Sequence, residues 1–139
     1  MAKTIARLHI TAHLDELVQV RHFVEETAVS FTNDPQIISD IVLAVDEAVT
    51  NIIRHGYKLQ AGSIEISISY QSNQLEIRLR DEAPAFDPTQ MDPPDQDIPL
   101  SQRKPGGLGV FMMRQLTDDL QYQPLPDGRN ELLLVKQIN

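Results

Sequence analysis

The chain has no cysteine, so it builds neither a disulfide framework nor a thiolate metal site. No apolar run approaches membrane-spanning length. The first residues, Met1-Ala2-Lys3-Thr4-Ile5-Ala6-Arg7, lack the long apolar stretch and small-residue cleavage site of a secretory signal. Positive charge is scarce: 12 Lys and Arg stand against 20 Asp and Glu, a formal net charge of −8. An acidic surface repels phosphate backbones and argues against general nucleic-acid binding. It does not exclude a nucleotide, which needs only local N–H donors and a metal. A Walker lysine motif is also missing, so this is not a P-loop protein. These absences lead to the expectation of a soluble cytoplasmic protein with no direct nucleic-acid or membrane contact.

The 139 residues, 41% of them hydrophobic, suit one domain spanning 1–139 with a real core. Residues 6–11 alternate as a strand, with Leu8 and Ile10 on one side. From Leu14 to about Ser30, the positions Leu14, Leu17, Val18, Arg21, Phe23, Val24, Thr27 and Ala28 suggest an amphipathic helix. Thr32-Asn33-Asp34-Pro35 supplies cap and first-turn residues for a second helix running from near Pro35 to His55, with Gly56 as its stop. Ile64, Ile66 and Ile68, then Leu75, Ile77 and Leu79, alternate with polar residues around the turn Gln71-Ser72-Asn73-Gln74, which predicts an antiparallel hairpin. Its polar face should be solvated and its apolar face covered by helices.

Between about 82 and 105, six prolines and four aspartates rule out regular elements. A loop of that length in a small domain is either functional and mobile or a plain connector. Residues from Gly109 to about Thr117 read as a helix with Val110, Met113 and Leu116 inward. Leu120–Tyr122 and Glu131–Val135 then close the chain as a strand pair about Pro126-Asp127-Gly128-Arg129-Asn130.

Three stretches can carry chemistry. In Asp46-Glu47-Ala48-Val49-Thr50-Asn51-Ile52-Ile53-Arg54-His55-Gly56-Tyr57, Glu47 and Asn51 lie one helical turn apart on one face. Ile38, Ile41, Val45, Val49 and Ile52 fall roughly opposite. An amide oxygen can ligand a hard cation and a carboxylate can act as a base, although such a pair is also what a solvated helix face carries. His55 is expected to bond locally near the helix end. Asp81-Glu82-Ala83-Pro84-Ala85-Phe86-Asp87-Pro88 follows the second hairpin strand, where an Asp can simply cap a turn. Gly106-Gly107-Leu108-Gly109 opens the third helix, where backbone N–H groups can converge on phosphate oxygens. The alternative is a flexible hinge. Arg103 and Lys104, just upstream, can reach a terminal phosphate or serve as surface cations.

As an ordered set, these stretches make the chain resemble the Bergerat ATP-binding domain shared by gyrase, the heat-shock chaperones, histidine kinases and MutL-type proteins. It resembles more narrowly the stand-alone anti-sigma-factor serine/threonine kinases of bacteria, over nearly its whole length. The resemblance implies an α+β fold: a two-layer sandwich of a mixed, mostly antiparallel sheet with helices on one face. It implies ATP and magnesium as ligands, with Glu47 as the base that activates a substrate hydroxyl and Asn51 as the magnesium ligand. Asp81 would accept a hydrogen bond from the adenine amino group. Gly106, Gly107, Leu108 and Gly109 would cradle the phosphates, and residues 82–105 would form the lid over the nucleotide.

The implied partners are a small anti-sigma-factor antagonist protein, as the phosphorylated substrate, and a sigma factor. A homodimer is implied as well. No phosphoacceptor segment precedes the domain, which fits a stand-alone protein acting on a separate partner. Phe86-Asp87-Pro88 matches the family's usual continuation. Ala83 departs from it: many members have Gly two residues after the Asp, and Gly allows close backbone approach and positive φ that Ala adopts only at a cost. That departure keeps open a second reading, a non-catalytic partner-binding module of the same fold. A third, a structural protein without a nucleotide site, requires all three stretches to be coincidental caps, turns and hinges.

Overall fold

In a computed structural model, residues 3–90 and 107–138 are described. Strand β1 (Lys3–Thr11) leads through a 3-10 turn at Leu14–Glu16 into α1 (Leu17–Ala28) and α2 (Pro35–Asn51). The hairpin β2 (Ser63–Gln71) and β3 (Gln74–Asp81) follows, then α3 (Gly107–Leu116) and the hairpin β4 (Asp119–Pro124) and β5 (Asn130–Gln137). The strands form one sheet in the order β1-β2-β3-β5-β4, antiparallel at every pairing. It is therefore an α+β fold, at the antiparallel end of the mixed, mostly antiparallel sheet expected.

One face of the sheet is apolar because its strands alternate. Leu8 and Ile10 of β1, Ile64, Ile66 and Ile68 of β2, Leu75, Ile77 and Leu79 of β3, Leu120 of β4, and Leu132 and Leu134 of β5 pack against the helices. The helices contribute Val20, Val24 and Ala28 from α1, Ile41, Ala44, Val45, Ala48 and Val49 from α2, and Val110 and Met113 from α3. Burying these side chains stabilises the fold by about 1.5–3 kcal/mol for each large aliphatic residue. In α1 the inward stripe is centred on Val20, whereas Val18, expected inside, is 59% exposed. The 3-10 turn before Leu17 resets the helical phase, so the chain does not keep a single period from Leu14.

The opposite sheet face is polar, as expected, yet not simply solvated. Ser67, Ser69, Glu76 and Glu131 are buried on it. Arg80 Nε donates to Glu131 Oε2 at 2.8 Å and Arg78 to Glu76 Oε1 at 3.2 Å. The long Arg stems lie across their neighbours and shield them from water. The β2–β3 turn puts Ser72 and Asn73 at φ 52° and 61°, the left-handed pair of a type I′ hairpin. No helix among the described residues is long and apolar enough to cross a membrane.

Candidate nucleotide site

The local start of α2 fixes where its polar residues point. The Asp34 side chain accepts from Gln36 N–H at 2.9 Å and Pro35 takes the first turn, so the helix begins in one register. Its apolar stripe then faces the sheet, and Glu47 and Asn51 emerge together along one edge. The α-helix ends at Asn51, earlier than expected. Ile52–Gly56 form a π-turn, with Tyr57 N–H donating to Ile52 C=O at 2.8 Å. A π-turn at this point directly follows a candidate ligand, as such bulges often do at functional sites. His55 does not bond the helix end among the described residues; its ring packs against Phe86 with centroids 5.9 Å apart.

Asn51 is 6% exposed, and its Nδ2 has no hydrogen-bond partner among the described residues. A buried amide left so costs on the order of 1–3 kcal/mol, and it lines a cleft rather than the core. The other walls of that cleft are Ala48, Asp81, Pro84, Phe86 and Tyr122. Its free volume is about 20 Å³, room for about one water.

Asp81 continues the inward alternation of Leu75, Ile77 and Leu79, and so brings a carboxylate to the end of an apolar face. Burial pushes its pKa up, opposed by hydrogen bonds from Asn130 and Ala83. Both bonds end on Oδ1, at 3.0 Å from Asn130 Nδ2 and 2.9 Å from Ala83 N–H, which leaves Oδ2 without a donor among the described residues. Ala83 is not among the positive-φ residues, so the strain expected of Ala at this position is absent. A Cβ on Gly56 would meet the Ala83 methyl at 3.2 Å, so a helix-end glycine makes room for that methyl.

Glu47 stands beside the start of α3. A Cβ on Gly109 would lie 2.9 Å from Glu47 Oε2. Burial, then the charge of Asp46, raises the Glu47 pKa, and Arg54 draws it partly back. Helix α3 begins at Gly107, two residues before the expected start, so Gly107, Leu108 and Gly109 form its first turn. Gly106, Arg103, Lys104 and the rest of residues 91–106, where most of the expected lid falls, lie outside the described residues. Arg114 donates to Thr89 C=O at 2.7 Å and ties α3 to the loop's first residues. The structure thus brings Asn51 and Asp81 to one cleft and Glu47 to the glycine-rich helix start.

Two cleft residues escaped the sequence reading: Asn130, taken only as a turn residue, and Tyr122, taken only as a strand residue. Asn130 meets Asp81 as its direct partner across β3 and β5, a contact between positions 49 residues apart that no local pattern signals.

A sheet covered on one face by helices, with an amide on the central helix and a carboxylate closing a central strand, defines an ATPase-like domain of the Bergerat type. The chain belongs to the histidine kinase-like ATPase domain family, whose pattern matches residues 10–136. Its relatives include the proteins named serine-protein kinase RsbW of Bacillus cereus strain AH820 and Bacillus thuringiensis strain Al Hakam. Each is 35% identical over 105 residues, 73% of this chain and 64% of the relative. The match thus spans a little under two thirds of those proteins. The crystal structure of the RsbU and RsbW domains of Rv1364c from Mycobacterium tuberculosis superposes with a TM-score of 0.65 at 19% identity, over 96% of this chain and 33% of that one. That likeness is one of fold, and together with the RsbW relatives it bears out the resemblance found in the sequence.

Proposed function

We propose that this chain is an ATP-dependent serine/threonine protein kinase of the anti-sigma regulatory type. It phosphorylates a small antagonist protein and binds a sigma factor or an equivalent partner. The observation that carries this reading is the buried Asn51 amide, whose Nδ2 has no partner among the described residues and which lines the cleft that Asp81 closes. A scaffold gains nothing from such a group, whereas a ligand satisfies it.

The residues fit ATP with magnesium. Among the described residues no group of three or more His, Asp or Glu forms a metal cage, and magnesium prefers few protein ligands alongside phosphate oxygens. The Asn51 amide oxygen suits that role. Asp81 Oδ2 is available to accept from an adenine amino group, and a fixed acceptor there repels the carbonyl of guanine. The first turn of α3 has N–H groups without helical partners, which suits a phosphate. Bound ATP would supply the phosphoryl group, and magnesium would neutralise the negative charge of the phosphates. Glu47 takes up the proton of the substrate hydroxyl, and its raised pKa makes it a stronger base than an exposed glutamate.

A cleft this narrow admits a base only if its walls move apart. The same narrowness is the observation that favours the second reading, a partner-binding module without catalysis. Calorimetric titration with ATP and ADP in magnesium, wild type beside Asp81→Ala, separates them. Binding lost with Asp81, together with label transfer to a partner that vanishes in Asn51→Ala, is expected for the kinase. A folded protein that binds neither nucleotide at high concentration is the non-catalytic module.

A further inference from the structure

The roles assigned above leave unused a chain of hydrogen bonds in the cleft wall. Tyr122 Oη donates to Asn130 Oδ1 at 2.6 Å. Asn130 Nδ2 donates in two directions, to Asp81 Oδ1 at 3.0 Å and to Ala83 C=O at 2.9 Å. Tyr122, Asn130 and Asp81 sit on three neighbouring strands, β4, β5 and β3, with Asn130 opposite both Asp81 and Pro124. Asn130 and Asp81 are 5% and 7% exposed, so water does not offer easy replacements for these bonds.

The arrangement fixes one orientation of the Asn130 amide. Turned over, its oxygen would face two acceptors, Asp81 Oδ1 and Ala83 C=O, and its NH₂ would face the tyrosine. Asp81 and Ala83 therefore set which way round the amide lies, and the Tyr122 hydroxyl, by donating to Oδ1, anchors its far end. The amide in turn helps to saturate Asp81 Oδ1, so that Oδ2 alone is left to accept. The bond from Asn130 Nδ2 to Ala83 C=O places the root of the 82–90 segment on the same chain of contacts.

We propose that Tyr122, acting through Asn130, is a specificity-determining positioning residue that holds Asp81 as a one-oxygen acceptor for the amino group of a 6-aminopurine nucleotide. The proposal rests on the nucleotide reading above and extends it to the choice between 6-amino and 6-oxo purines. Without the tyrosine hydroxyl, Asn130 Oδ1 loses its donor and the amide is held from its NH₂ side alone, so its hold on Asp81 Oδ1 loosens. A loosened Asn130 lets the Asp81 carboxylate rotate, so the acceptor no longer stands at one fixed position and the advantage of an amino group over a carbonyl shrinks.

The test is to titrate ATP and GTP, with magnesium, into wild type, Tyr122→Phe and Asn130→Asp, and to measure the urea midpoint of each protein. Tyr122→Phe keeps the ring and removes one oxygen, so the fold should survive. Asn130→Asp keeps the shape and places a second carboxylate beside Asp81. The expected result is a wild type that prefers ATP, a preference reduced about tenfold in Tyr122→Phe, the scale of one hydrogen bond, and a larger reduction in Asn130→Asp. If both variants lose stability but keep the wild-type ATP-to-GTP ratio, the chain is purely structural and the proposal falls while the nucleotide site stands. If folded wild type binds neither nucleotide, the nucleotide reading and this proposal fall together.

Discussion

Gly109 approaches Glu47 so closely that a methyl on its Cα would stand 2.9 Å from the carboxylate oxygen Oε2. The first turn of α3 and the candidate base on α2 are therefore in contact, although 62 positions separate the two residues in the chain (109 − 47). Gly109→Ala should displace the carboxylate and leave the fold intact. The helix itself gains up to about 1 kcal/mol from the replacement, while a misplaced base of this kind costs on the order of 100-fold in rate. Thermal midpoint and phosphoryl-transfer rate, measured together, check this. A variant as active as wild type would show that the contact does not matter for the chemistry.

The Glu47 proton should shape the pH profile. Burial, then Asp46, raises its pKa above the ordinary 4.5, so the base becomes available only as pH rises through that higher value. Transfer by wild type should climb over this range and plateau above it. Glu47→Gln should transfer roughly 100- to 10,000-fold more slowly on the plateau, with the gap closing as pH falls, while binding ATP nearly as wild type does. Loss of nucleotide binding in a folded Glu47→Gln protein would contradict the assigned role.

Asp81→Asn offers a stability test with a defined sign. The folded-state pKa of Asp81 is raised above 3.8, chiefly by burial, so the folded state holds the proton more tightly than the unfolded state does. Its contribution to stability is fully present below the unfolded value and declines as pH rises through the folded one. The Asn side chain keeps an Oδ1 to accept from Ala83 and Asn130 and carries no charge to bury. Asp81→Asn should therefore match wild type in acid and exceed it in urea midpoint at neutral pH, with ATP affinity reduced by roughly 100-fold. A variant less stable than wild type at pH 7 would overturn the account of the buried carboxylate.

Gly62 has a packing role. A Cβ there would clash with the Tyr57 ring, and Tyr57 Oη accepts from Glu82 N–H at 2.8 Å and donates to Ser63 C=O at 2.6 Å. Gly62→Ala should cost about 1–3 kcal/mol in urea unfolding. Tyr57→Phe should cost less, because Glu82 is exposed and water can take over its N–H. Equal stability of Gly62→Ala and wild type would mean that the ring moves aside freely.

Much of this fold is legible without coordinates because its signals are local. Asp34-Pro35 starts α2 as its residue types predict, the Ile and Leu alternation of β2 and β3 places their inner face, and Ser72-Asn73 turns the hairpin. Local reasoning misplaced Val18, because a 3-10 turn shifts the phase of α1. It also ran α2 on to His55, because the change to a π-turn at Ile52 leaves no mark in residue type. The polar outer face was recognised as polar, but its burial under Arg78 and Arg80 depends on side chains crossing between strands.

The order of Glu47, Asn51, Asp81 and the glycine-rich run, the apolar periodicity and the absence of cysteine were settled by the amino-acid sequence alone, and they suffice for the fold class and family. Only the tertiary structure decided what those residues meet. Pairing of β3 with β5 set Asn130 against Asp81, pairing of β4 with β5 added Tyr122, and packing of α3 on α2 brought Gly109 to Glu47. Helical and strand periods are properties of neighbouring residues, whereas these contacts join distant segments, and their cost in chain entropy is offset only when the whole core closes.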